Sequence, residues 1–102
     1  MKIRILGCLV VVCVLYAQAS LAAELPQFDT DAYCENVAEL GGGSNVLKKQ
    51  CLQDEKGAIR RLGKMDEVPA KTWKYCAKMA KMADGSYVLM EQCINDEMDA
   101  AE

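Results

Sequence analysis

The sequence predicts an all-α fold: two tandem disulfide-stapled helical hairpins forming a small four-helix unit. Three observations carry that expectation. The chain matches itself without a gap at an offset of 42 residues, residues 30–55 against 72–97, with identity at 12 of 26 positions. Four cysteines in this region are placed evenly about two short turns. Apolar residues within each repeat recur at steps of three, four and seven, the period of an amphipathic helix and not the alternation of a strand.

The matched pairs include Tyr33/Tyr75, Cys34/Cys76, Ala38/Ala80, Gly43/Gly85, Ser44/Ser86, Cys51/Cys93, Asp54/Asp96 and Glu55/Glu97. A duplicated unit organises every other reading of the chain. In the first unit, about 30–62, residues 33–40 carry Cys34, Val37 and Ala38 at helical spacing with no breaker, and Gly41-Gly42-Gly43 then stops the helix. Ser44 is a favoured N-cap for a second helix whose apolar face is Leu47, Cys51, Ala58 and Leu62, with Ile59 beside it. Val68-Pro69 suits the start of the third helix, proline being welcome at the first helical position. In the second unit, about 70–99, Trp73, Cys76, Met79, Ala80 and Ala83 line one helix. Asp84-Gly85-Ser86 turns the chain, and Val88, Leu89, Cys93, Ile94 and Met98 line the last helix.

Cysteine spacing supports the hairpins independently. Cys34 and Cys51 lie 8.5 positions either side of a point within the glycine turn, and Cys76 and Cys93 lie 8.5 positions either side of the Asp84–Gly85 bond. Residues equidistant from the turn of an antiparallel pair stand level, so a bridge is within reach. The spacing favours Cys34–Cys51 and Cys76–Cys93 over the other two pairings that four cysteines allow. Each bridge would close a loop of about 18 residues and contribute on the order of 3 kcal/mol in the chain-entropy model.

Residues 1–23 read as a signal peptide. Lys2 and Arg4 precede an apolar run over 5–16, and Ser20-Leu21-Ala22-Ala23 offers small residues for cleavage. The run is shorter than the roughly 20 residues a membrane span needs. Cys8 and Cys13 would leave with it, and a single helical domain, 24–102, would remain without a stable membrane anchor. An even cysteine count in so short an exported chain is the usual sign of disulfides, and the expected location is periplasmic or secreted.

The pattern Tyr-Cys, Ala four positions after the Cys, a Gly-Ser turn, then Gln-Cys-aliphatic-x-Asp-Glu resembles small exported bacterial helical-hairpin repeat proteins of uncharacterised function. It covers residues 33–55 and 75–97. The resemblance implies a periplasmic or secreted helical protein and brings no activity with it. Gly42-Gly43-Ser44-Asn45 departs from the Gly-Ser-Tyr turn of Gly85-Ser86-Tyr87, so an aromatic at that position has no counterpart in the first unit.

Candidate chemistry is sparse. There is no histidine, which removes the commonest general base and the commonest metal ligand. The cysteines show neither zinc-ligand spacing nor a Cys-x-x-Cys redox motif, and structural disulfides account for them. Asp54-Glu55 and Asp96-Glu97 follow each second cysteine by three and four residues. Carboxylates from the two units could pair for acid/base work in a small envelope hydrolase, the runner-up reading, although a Glu bonded to a neighbouring helix is the plainer account. Met79 and Met82 share a helix face, the basis for a Met-rich copper-handling alternative, with adaptable core filling as the plainer account. No cofactor is expected.

Charge is segregated. The chain holds 12 basic and 15 acidic side chains, and loss of Lys2 and Arg4 deepens the negative balance, which argues against nucleic-acid binding. Yet residues 56–81 hold eight basic residues against Asp66 and Glu67, while residues 84–102 hold six acids and no base. Lys71, Lys74, Lys78 and Lys81 fall at steps of three and four, a single stripe on the third helix. With Arg60, Arg61 and Lys64 they are the candidate partner-binding residues, although a basic face is often merely solvated. The expected function is a non-enzymatic binding protein of the bacterial envelope, with an inhibitor or immunity protein as concrete forms and another protein, acidic in character, as partner.

Overall fold

A computed structural model describes residues 24–102. The expected signal segment 1–23, with Cys8 and Cys13, lies outside the described residues. Asp29 accepts from the Ala32 N–H at 3.0 Å and starts α1 (Thr30–Leu40) three residues before the expected boundary. Gly43, at φ +80°, reverses the chain and donates its N–H to the Ala38 carbonyl at 2.8 Å, closing the helix end. The Ser44 hydroxyl then accepts from the Leu47 N–H and opens α2 (Asn45–Lys64).

The second unit repeats the device. α3 (Ala70–Met82) begins one residue later than expected, with Pro69 at the cap position, where its lack of an N–H costs nothing. Gly85, at φ +81°, donates to the Ala80 carbonyl at 2.9 Å, and Ser86 caps α4 (Tyr87–Ala100) through the Leu89 N–H. Ala38 and Ala80, one of the repeat pairs, are thus the acceptors of the same turn and are buried in both copies. Disulfides join Cys34 to Cys51 and Cys76 to Cys93, each with Cα atoms 5.5 Å apart. Such bonds persist in an oxidising compartment, away from the reducing cytosol.

The hairpins pack unequally. The main core comes from α2 (Ala58, Leu62), α3 (Cys76, Ala80) and α4 (Tyr87, Met90, Ile94). The contacts between elements are α1 with α2, α3 with α4, and α2 with α4, so α1 stands outboard on α2 alone. The core shared by the two hairpins therefore encloses Cys76 and not Cys34, which is buried within its own hairpin. The reason lies in length: α2 carries Ala58 and Leu62 two and three turns past Cys51, a surface for α4 that α4 itself, ending at Ala100, does not extend. Leu62, Met90 and Ile94 are completely enclosed, each contributing about 1.5–3 kcal/mol by leaving water. Among the described residues, no helix is long and apolar enough to cross a membrane.

Residues 24–29 form a strap over this core. Trp73 Nε1 donates to the Glu24 carbonyl at 3.1 Å, the Tyr87 hydroxyl donates to the Pro26 carbonyl at 2.7 Å, and the Phe28 N–H donates to that hydroxyl at 3.0 Å. The Phe28 and Tyr87 rings meet with centroids 4.8 Å apart.

Candidate functional site

The two repeat carboxylates have different fates. Glu55 is buried, and its oxygens accept from the Ser86 hydroxyl at 2.8 Å, the Tyr87 N–H at 2.6 Å and the Val88 N–H at 3.2 Å. A carboxylate at a helix N-terminus meets unsatisfied N–H groups and the positive end of the dipole, so α2 supplies the acceptor for the two N–H groups of α4 that the Ser86 cap leaves over. Glu97, its repeat mate, is exposed on α4. Both oxygens of Glu55 are committed to structure, and the plainer account, a Glu bonded to a neighbouring helix, describes it. Among the described residues every buried side-chain nitrogen and oxygen has a partner.

The candidate cationic residues are all on the surface. On α3, Cys76 and Ala80 mark the buried side, and Lys71, Lys74, Lys78 and Lys81 fall together on the opposite, exposed side. None of the four forms an ion pair among the described residues. Arg60 and Lys64 are likewise exposed near the end of α2. Arg61 differs. Its guanidinium donates to both oxygens of Glu91 on α4, at 2.5 Å from Nε and 2.9 Å from the terminal nitrogen, which raises its pKa further above the usual value. Gly57 makes room for it, since a Cβ there would stand 3.1 Å from the guanidinium. Arg61 therefore ties α2 to α4, and the field available to a partner is that of the other six.

Beside the stripe lies a groove of about 800 Å³ between the strap and α3, its apolar lining made by Leu25, Pro26, Val68, Trp73 and Ala77, with Lys74 and the acidic Glu24, Asp66 and Glu67 also on its walls. Its walls depend on the strap, which periodicity does not reveal; Trp73 was the available signal, a large aromatic next to the lysines with no polar partner inside its own repeat. The methionines divide: Met79 and Met82 are exposed, whereas Met90 is core. Among the described residues no cluster of His, Cys, Asp or Glu is arranged to hold a metal ion. The chain matches no family model, no curated protein and no solved structure.

Proposed function

We propose that the protein is a non-enzymatic binding protein of the bacterial envelope, periplasmic or secreted, that takes an acidic protein partner on the exposed side of α3. The observation that carries this reading is the stripe of Lys71, Lys74, Lys78 and Lys81. Four like charges stand on a disulfide-anchored helix, and none forms an ion pair among the described residues. Arg60 and Lys64 add to the same sign. Such a field chiefly accelerates encounter and rejects basic competitors. The groove beside Lys74 offers apolar contact within reach of those charges, the combination that lets a charged approach end in a specific complex. An inhibitor or an immunity protein is a concrete form of this reading.

The engagement of Glu55 supports a binding role over a hydrolase with paired carboxylates, because that carboxylate already serves as a helix cap. The test is lysine-directed crosslinking of the exported protein in its own envelope extract, read by peptide mass spectrometry. An acidic protein linked through Lys74, Lys78 or Lys81 is expected. A turnover by the purified protein that Glu97→Gln abolishes would replace the proposal with the hydrolase.

A further inference from the structure

Each repeat has a donor end and an acceptor carboxylate, yet only one joint between them is made within the chain. The donor end is the start of the second helix, where a Gly-Ser turn leads into unsatisfied N–H groups. In the second unit the Ser86 hydroxyl and the Tyr87 and Val88 N–H groups donate to Glu55. The matching donor end of the first unit, Ser44, Asn45 and Val46, is open: among the described residues no acceptor meets the N–H of Asn45 or Val46. The matching acceptor of the second unit, Glu97, is also open.

Two further observations single out these ends. Exposed apolar side chains gather at the open donor end, with Leu40 at 91%, Val46 at 78% and Leu47 at 42% of full exposure. Val88, the repeat mate of Val46, is half-buried where its own unit is docked. The charges are also complementary. At the donor end Lys49 and Lys48, the latter already paired with Glu35 of its own hairpin, stand where α4 has Glu91 and Met90, and at the acceptor end Asp96 and Asp99 flank Glu97, with Asp99 standing where α2 has Gly57. A contact between these ends would set basic side chains and a helix N-terminus against acidic ones.

We propose that the protein self-associates head to tail, the turn at Ser44, Asn45 and Val46 of one copy docking on Glu97 of the next. The joint repeats between chains the cap that Glu55 makes within one, with an ionic rim in place of the buried Met90. Being heterologous, it leaves one donor and one acceptor open after each addition and so propagates beyond a dimer. It uses none of the α3 lysines and stands or falls apart from the function proposed above.

Sedimentation velocity of the purified exported protein tests this. Between about 10 µM and about 1 mM, the span expected of a joint this small, the sedimentation coefficient should rise with concentration. The rise should shrink in about 1 M salt, where the Debye length is about 3 Å. Val46→Asp or Glu97→Ala, both at exposed sites and both expected to leave the circular dichroism unchanged, should each move the midpoint by about tenfold or more. Mixing the two variants should restore one joint, giving a dimer and nothing larger, because one retains the acceptor and the other the donor. A monomer throughout the range would overturn the proposal, as would association that neither variant weakens, or a mixture that associates no better than its parts.

Discussion

Substitution of Glu55 probes the joint between the two repeats. In Glu55→Gln the shape survives, but one oxygen becomes an amide that can only donate. The carboxylate accepts at both oxygens, from the Tyr87 N–H on one and from the Ser86 hydroxyl and Val88 N–H on the other, so the amide must face at least one donor. Hydrogen bonds to a charged group contribute about 1.5–3 kcal/mol each, and a buried donor left unpaired costs about 1–3 kcal/mol. These terms are not additive, and a loss of about 2–3 kcal/mol is expected for Gln, with about 3–5 kcal/mol for Ala, which strips every acceptor. Urea unfolding of the oxidised protein, followed by circular dichroism, reads the change directly. Glu97→Gln is the control: the same local sequence, the same chemical change and an exposed site, with an effect within about 0.5 kcal/mol. Equal stability of the two Gln variants would refute the assignment of Glu55 as the buried cap of α4.

Other perturbations separate the parts of the fold. Because α1 packs on α2 alone, replacing Cys34 and Cys51 together with Ser should speed amide hydrogen exchange throughout α1 while leaving α3 and α4 protected; the Cys76 and Cys93 pair should expose the whole core. Gly85→Val should destabilise more than Gly43→Val. Both sit at positive φ, which costs about 1 kcal/mol or more, but a Cβ at Gly85 would also stand 3.3 Å from Phe28, whereas Gly43 has open space. Tyr87→Phe removes the hydroxyl that links Pro26 and Phe28, so limited proteolysis should cut within residues 24–29 sooner, with a loss of about 1–2 kcal/mol in denaturant.

Much of this architecture is written in short-range pattern. The glycine turns, the serine caps and the paired cysteines recur at a fixed offset, and each feature depends on residues within about one hairpin of its partner. What the sequence hides is asymmetry. Gln-Cys-Leu-Gln-Asp-Glu ending at Glu55 and Gln-Cys-Ile-Asn-Asp-Glu ending at Glu97 are near copies, yet one carboxylate is sealed in the core and the other is wet. The difference comes from the residues beyond each carboxylate: Gly57, Ala58 and Leu62 continue a small-residue, apolar face on which α4 settles, while Asp99 stands in the place of Gly57. Arg61 and Glu91 lie 30 residues apart, and Tyr87 reaches across 61 residues to Pro26, separations at which helical spacing carries no information. The lysine stripe was legible because it depends on the register of one helix; the loss of Arg61 from it was not, because it depends on a second.

The central claim, that the exposed side of α3 is the binding surface, is tested most directly by association kinetics. Lys74→Gln, Lys78→Gln and Lys81→Gln together should leave the unfolding curve within about 0.5 kcal/mol of the parent, because exposed charges contribute little to stability. The association rate with the crosslinked partner should fall by about tenfold or more near physiological salt, and the salt dependence of that rate should flatten, with dissociation changed much less. An association rate and salt dependence identical to those of the parent would contradict the account and leave the lysine stripe a solvated face.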